Sequence, residues 1–284
     1  MFVGGPRQVG KTTFALGFLG KNADETHPAY LNWDHPGVPP RLRKAKFPAG
    51  EPLLLKFGGF PEPLFAQNEA EHRIWRRDRI SRVVREDLRD LEHVREISLI
   101  EHLTDMLPSK VGAPLSVKGL REDLQIDHKT AERWLQILEN LYVCFRISPY
   151  GGPRVRAVKK QRKLYLWDWS SVEGEGPRFE NMVASQLLKY CHWIEDTQGH
   201  VMELRYLQDT DRREVDFVVL KDRKPVFAVE CKSREKAIGP ALHYFAERTP
   251  IPRFYQTHLG ERHYETGKVT VVPFTKLCRE LELP

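Results

Sequence analysis

Hydrophobic positions change their period several times along the chain. From Glu69 to about Leu107, apolar residues recur near helical spacing among many arginine and acidic side chains, which predicts amphipathic helices with one solvated face. After residue 141 the alternation Val143, Phe145, Ile147 predicts a strand. Between these stretches the pattern indicates two short helices, with Ser116 and Asp127 as their N-caps. Two helices followed by a strand pair have a winged-helix outline.

The C-terminal part predicts a mixed sheet with flanking helices. A helix from Arg178 is followed by three strands, a second helix and further strands. The predicted order is αβββαβ, and the pattern also allows one additional strand. The predicted strands are 203–207, 214–220, 226–232, 253–258 and 269–274, and the second helix is 240–248.

The predicted fold class is α/β plus helical, in three parts. Residues 1–52 form the first part, residues 53–172 a helical and winged-helix region, and residues 173–284 the C-terminal part. Five prolines between residues 36 and 52 predict a linker or distorted junction around residues 35 to 60.

Composition places the chain among globular proteins. Of its 284 residues 40% are hydrophobic and 30% charged, enough for two or three cores. No apolar run is long enough to span a membrane and no signal segment is visible, so we expect a cytoplasmic protein without membrane contact. The four cysteines lack paired spacing, which argues against a zinc site or a disulfide framework.

A phosphate-binding loop is the most specific motif. The run GPRQVGKTT fits the pattern of glycine, four residues, glycine, lysine and a hydroxyl residue. Its backbone amides and Lys11 would hold the phosphates of ATP, and the Thr12 hydroxyl would hold Mg²⁺. The predicted nucleotide contacts are Gly5, Pro6, Arg7, Gln8, Val9, Gly10, Lys11, Thr12 and Thr13.

The acidic strand that hydrolysis needs is missing after this loop. The closest apolar run, Leu53 to Leu55, leads into Lys56 instead of an acidic pair. About 40 residues separate Lys11 from the next segment, whereas a complete nucleotide-binding domain takes roughly 100 residues or more. ATP binding without hydrolysis above background is therefore expected.

Several stretches together resemble a known family. GGPRQVGKTT, LLKFGGFPEP, WRRDRISRVVREDLRDLEHV, LYLWDW and RFENMVASQLLKY are similar to prokaryotic AAA-type P-loop ATP-binding proteins with a C-terminal domain of unknown function. The resemblance covers nearly the whole chain. It implies a truncated P-loop NTPase segment over residues 1–52, with an internal deletion in the ATPase domain near Leu54. It also implies a winged-helix region within residues 53–172 and a restriction-endonuclease-like domain over residues 173–284.

The winged-helix outline carries candidate DNA contacts. The first turn and the outward face of the second helix would enter a major groove of DNA. Residues of the preceding helix and of the wing would contact the backbone phosphates. The predicted contacts are Lys118, Arg121, His128, Lys129, Thr130 and Arg133, with a basic tract of Arg154, Arg156, Lys159, Lys160, Arg162 and Lys163. The alternatives are a protein-docking module and a solvated hairpin tip.

The C-terminal strands carry candidate nuclease residues. Asp216 lies in the strand EVDFVVL, and Glu230 and Lys232 share one face of VFAVECK. This constellation resembles the PD-(D/E)xK nuclease signature, in which carboxylates bind Mg²⁺ and a lysine steadies a water or phosphate. Glu180 on the preceding helix is a further candidate ligand or orienting group. The alternative is a solvated strand face.

Three functional hypotheses follow from the sequence. The first is an ATP-binding AAA-family protein with a truncated ATPase core, a DNA-binding winged helix and a nuclease-like C-terminal domain. The second is a magnesium-dependent DNA nuclease with a vestigial P-loop. The third is a regulator without catalytic activity that binds nucleic acid or protein.

Overall fold

The computed structural model describes residues 51–84, 97–151 and 161–283. The predicted P-loop, Gly5 to Thr13, lies outside these ranges, as do four residues of the basic tract. Those four are Arg154, Arg156, Lys159 and Lys160. The described residues belong to one compact unit that spans Ala49–Leu283.

Helices fill the first part of the described chain. They are α1 Glu51–Phe57, α2 Pro61–Ala66, α3 Glu69–Arg82, α4 Ile97–Met106, α5 Val117–Leu124 and α6 His128–Asn140, with a 3₁₀ turn at Leu107–Lys110. The predicted junction over residues 35 to 60 is therefore wrong for residues 51–57. Pro52 lies in the first turn of α1, where a missing backbone N–H costs no helical hydrogen bond.

The predicted N-caps of α5 and α6 are confirmed. The Ser116 side chain accepts a hydrogen bond from the Gly119 N–H, and Asp127 accepts from the Lys129 and Thr130 N–H groups. One face of α6 is buried in the core, as Trp134 and Leu138 show. Local signals in the sequence thus define both helices.

An eight-stranded mixed sheet organises the rest. Its strands are β1 Cys144–Pro149, β2 Lys163–Leu166, β3 Met202–Gln208, β4 Glu214–Lys221, β5 Lys224–Lys232, β6 Phe254–His258, β7 Tyr264–Thr266 and β8 Val269–Pro273. The spatial order is β2-β1-β3-β4-β5-β6-β8-β7. Strands β3, β4 and β5 are antiparallel, whereas β5, β6 and β8 run parallel.

Three helices accompany the C-terminal strands: α7 Glu175–Gln198, α8 Pro240–Arg248 and α9 Phe274–Glu280. The elements α7, β3, β4, β5, α8 and β6 thus follow the predicted order αβββαβ. The structure adds the short strand β7, which the sequence pattern did not predict. Whether the domain is related to restriction endonucleases stays a prediction.

The β1–β2 hairpin of the predicted winged-helix region joins the same sheet. Ser148 and Pro149 at the end of β1 pair in parallel with Arg205 and Tyr206 of β3. The sheet therefore continues across the predicted boundary at residues 172 and 173, although the division into domains stays a prediction.

The sheet separates two hydrophobic layers. Phe217 and Val229 pack in the core that contains α7, while Val218 and Ala228 pack in the core that contains α8. A third core lies among α4, α5, α6 and the β1–β2 hairpin. Among the helices that the structure describes, none is both long and apolar enough to cross a bilayer.

Candidate functional site

A bulge in β4 sets the position of Asp216. Arg205 of β3 pairs with Val218, and Leu207 pairs with Val215, so Asp216 and Phe217 lie together opposite the single Tyr206. Val215 packs on the α8 side and Phe217 on the α7 side. A bulge of this kind redirects side chains, and β-bulges are enriched beside active sites. One of the two residues in this bulge, Asp216, is a carboxylate that is 9% exposed.

Asp216 and Glu230 lie on adjacent strands, as the hairpin pattern predicted. Phe217 of β4 pairs with Val229 of β5, and Asp216 and Glu230 are the next residues on these two antiparallel strands. Asp216 Oδ2 also accepts a hydrogen bond of 2.7 Å from the Cys231 N–H. This bond fixes the Asp216 carboxylate against the end of β5.

Glu230 and Lys232 form an ion pair along β5. Lys232 Nζ donates to Glu230 Oε1 at 2.6 Å, which agrees with the predicted common face of residues i and i+2. Within the described part of the chain, the buried Glu230 Oε2 has no hydrogen-bond partner. A buried carboxylate oxygen without a donor is costly, and it indicates a missing proton, water or cation.

Glu180 reaches the same region from α7. Its Oε1 accepts a hydrogen bond of 2.8 Å from the hydroxyl of the fully buried Tyr165 in β2. Gly112, with φ +77°, lies against the Glu180 carboxylate, and a Cβ atom there would come within 3.0 Å of Oε1. The helix, the hairpin and the loop before α5 therefore hold this side chain together.

Lys163 and Glu214 complete the cluster, and the sequence analysis assigned neither to it. Lys163 of β2 is fully buried and contacts Glu214 Oε1 of β4 directly. Its Nζ also lies 3.9 Å from Glu180 Oε1 and 5.3 Å from the centre of the Tyr206 ring. The structure thus brings together four carboxylates and two lysines: Glu180, Glu214, Asp216, Glu230, Lys163 and Lys232.

Burial and crowding shift the ionisation of this cluster. Burial, followed by the negative charge of Asp216, raises the pKa of Glu180 to about 8 against the opposing effects of Lys163 and Tyr165. The same two causes raise the pKa of Glu230 to about 7, against the effect of Lys232. Burial also raises the pKa of Glu214. Carboxylates in this state gain from any added positive charge.

Both lysines remain cationic in this environment. Burial by itself lowers the pKa of Lys163, but the carboxylates of Asp216, Glu180 and Glu214 outweigh it and the net pKa is raised. For Lys232, burial likewise lowers the pKa, while Glu230 and Asp216 raise it. Each lysine therefore adds a stable positive charge to the site.

A divalent cation at this cluster would be held by few protein ligands. Among the residues that the structure describes, no three acidic, histidine or cysteine side chains are arranged as a metal-binding group. Mg²⁺ commonly binds through one or two carboxylates and otherwise keeps waters and substrate phosphates. The oxygen of Glu230 without a donor and the adjacent Asp216 suit that mode. Thr12, the other predicted metal ligand, lies outside the described residues.

The predicted DNA-binding helix has an exposed polar face. Lys118 on α5 and His128, Lys129 and Arg133 on α6 are exposed. The Thr130 hydroxyl is engaged within the helix cap, donating to Asp127 Oδ2 at 2.5 Å. These positions are compatible with the predicted contacts, which stay predictions.

Two residues of the basic tract, Arg162 and Lys163, are placed differently from the prediction that they contact phosphates. Lys163 was predicted as one of its phosphate contacts, but it is fully buried among carboxylates. Arg162 Nη2 lies 2.9 Å from Glu132 Oε1 of α6. Lys163 therefore cannot contact a nucleic-acid backbone, because pairing in the sheet turns its side chain inward.

Glu214 could have been found from the sequence by the rule that was applied to β5. It lies two residues before Asp216 in an alternating strand, just as Glu230 lies two residues before Lys232. For Lys163 no comparable local signal exists. It follows a run of basic residues that indicated solvent, and only tertiary pairing shows its role.

Comparisons with known proteins agree with a two-part organisation of the described chain. Residues 53–172 match the model of a domain of unknown function (DUF8612), and residues 175–277 match that of a second domain of unknown function (DUF4143). The second is a domain found at the C-terminus of AAA-ATPase-associated proteins. No curated protein and no solved structure shows significant similarity.

Proposed function

We propose that this chain is an AAA-ATPase-associated DNA-handling protein whose C-terminal domain hydrolyses phosphodiester bonds with Mg²⁺. The observation that carries the proposal is the geometry around Glu230. Its buried Oε2 has no donor among the described residues, while its Oε1 holds Lys232 and Asp216 lies on the adjacent strand. This arrangement combines candidate oxygen ligands with a cationic group that can face a phosphate.

The residues divide the proposed work between them. Asp216 and Glu230 would hold the cation, which supplies Lewis-acid polarisation of a phosphoryl oxygen when bound. Lys232 is partly exposed and stays protonated, so its ammonium group can donate to the attacking water or to a phosphate oxygen. Glu180, held by Tyr165, orients the cluster from the helix side.

DNA cleavage by the full chain tests this proposal. We expect Mg²⁺-dependent cutting of duplex or single-stranded DNA that falls at least about 100-fold in Asp216→Ala and Lys232→Ala, because each removes a charge from the reacting centre. Glu265→Ala, an exposed carboxylate on β7, is the matched control and should retain activity. If neither DNA form is cut, the domain is a binding module and the regulator hypothesis gains support.

ATP binding is proposed on a separate observation, the loop Gly5 to Thr13, together with the association of the C-terminal domain with AAA ATPases. Because the acidic strand is missing from the sequence after Lys11, we propose nucleotide binding without turnover above background. Measured ATP hydrolysis that disappears in Lys11→Ala would contradict the second part. Loss of nucleotide binding in the same variant would support the first.

A further inference from the structure

Lys163 is a lysine that the sheet carries into the interior. It pairs with Ile147 of β1 and forms a bridge with Pro114 of the loop before α5. Its side chain is fully buried, so it cannot reach a substrate in solvent. A buried ammonium group is strongly unfavourable unless acceptors surround it. The acceptors around Lys163 are carboxylates of the candidate nuclease site.

Donors within the protein contact three of the four carboxylate oxygens beside Lys163. Glu214 Oε1 contacts Lys163, and Glu214 Oε2 accepts from the Gln208 amide at 2.7 Å. Glu180 Oε1 accepts from Tyr165 and lies 3.9 Å from Lys163. These two carboxylates form one half of the cluster, and its cation is part of the chain.

The other half lacks such a cation for one of its oxygens. Glu230 Oε1 holds Lys232 and Asp216 Oδ2 holds the Cys231 N–H, but the buried Glu230 Oε2 has no donor among the described residues. Donors within the protein therefore compensate the carboxylate charges of the two halves unequally. An added ion therefore gains most in the half with Asp216 and Glu230, where a buried oxygen lacks a donor.

We propose that Lys163 is a positioning residue whose ammonium group is the fixed cation of the Glu180–Glu214 half, so that the site takes one divalent cation, at Asp216 and Glu230. This inference rests on the proposed function, because it assumes that the site binds a divalent cation. It assigns to β2, which precedes the αβββαβ unit, a necessary part of the site. The second ion that some phosphodiester-cleaving sites use is replaced here by a lysine.

Cation stoichiometry in the full chain tests the inference. We expect titration calorimetry with MnCl₂ to show one bound ion in the unmodified protein and none in Glu230→Gln. In Lys163→Met the Glu180–Glu214 half loses its cation, so uptake should rise to two ions. The double variant Lys163→Met with Glu214→Gln removes opposite charges together and should return to one ion.

A stability measurement separates this role from ordinary packing. Mg²⁺ should raise the unfolding midpoint of Lys163→Met several degrees more than that of the unmodified chain. Leu164→Ala, a fully buried neighbour that packs in the helical core, is the control and should gain no more than the unmodified chain. If Lys163→Met does not fold without cation, the double variant and titration in the presence of Mg²⁺ still give the comparison.

The outcomes distinguish the two proposals. If Lys163→Met takes up one ion and responds to Mg²⁺ like Leu164→Ala, the inference about Lys163 is overturned, whether or not the protein cuts DNA. If the unmodified chain binds one ion and Lys163→Met binds two, but no DNA is cut, the inference holds and the nuclease proposal fails. Absence of any ion uptake by the unmodified chain would overturn both.

Discussion

Lys163 of β2 contacts Glu214 of β4, although 51 residues separate them in the chain. The contact joins a strand of the segment 53–172 to a strand of the segment 175–277, and each segment matches its own domain model. Asp216 lies two residues after Glu214 in β4. Glu180 on α7 lies 3.9 Å from Lys163 Nζ. The candidate site therefore draws residues from both matched segments.

We expect Glu180 to make stability depend on pH in the absence of divalent cations. Burial and Asp216 raise its pKa from 4.5 to about 8 in the folded chain. The stability that the neutral acid contributes is therefore full below about pH 4.5 and is lost as the pH rises through about 8. Thermal unfolding in EDTA should show a lower midpoint at pH 8.5 than at pH 6.

Glu180→Gln should reduce that decline, since a neutral amide does not ionise. A difference of 1 kcal/mol corresponds to about 2–4 °C in a chain segment of this size, so the effect is measurable. Glu265→Gln on β7 serves as the exposed control and should follow the unmodified chain. Parallel pH curves for Glu180→Gln and the unmodified protein would contradict the raised pKa.

Gly112→Ala should destabilise the fold by about 1–2 kcal/mol. Gly112 has φ +77°, where a side chain costs about 1 kcal/mol, and the new Cβ would lie 3.0 Å from Glu180 Oε1. Gly119→Ala inside α5 is the matched control, because its Cβ would meet the Ser116 side chain at 3.5 Å or more. In urea unfolding, Gly112→Ala should lower the free energy of unfolding, whereas Gly119→Ala should leave it unchanged or raise it.

Arg146→Met should cost about 1.5–3 kcal/mol, because it removes a buried cation that donates charged hydrogen bonds to Glu139 and Glu132. The Arg146 side chain is 2% exposed and lies 2.7 Å from Glu132 and 2.8 Å from Glu139. Arg253→Met, which breaks the exposed pair with Glu280, should cost less than about 1 kcal/mol. Equal losses in the two variants, measured by urea unfolding, would show that burial does not strengthen the Arg146 pairs.

The exposed lysines of α5 and α6 should contribute to DNA affinity if these helices bind the duplex. Each phosphate contact changes the slope of log affinity against log salt by about 0.9, so Lys118→Ala and Lys129→Ala should each lower that slope by about that amount. Lys224→Ala, at the exposed first residue of β5, is the control. Fluorescence anisotropy over a salt series gives the slopes. Unchanged slopes would favour the protein-docking alternative.

Local features of the fold could be predicted from the sequence because their causes are local. Asp127 caps α6 through its own next residues, and the turn between β4 and β5 places Asp216 beside Glu230. The bulge at Asp216 and the burial of Lys163 depend on pairing with β3 and β1, which no local pattern encodes. The prolines led to a wrong prediction of a junction near residue 52 for a related reason. Pro52 lies in the first turn of a helix, and tertiary contacts hold that helix against the core.

The parallel pairing of β1 with β3 also protects the sheet. Without the β1–β2 hairpin, β3 would be an edge strand with unpaired backbone groups, and an exposed edge is a template for association with other chains. A gene fragment that begins at the boundary between the two matched segments would therefore encode a domain that lacks Lys163 and is prone to self-association. The two segments are expected to be inherited and expressed as one unit.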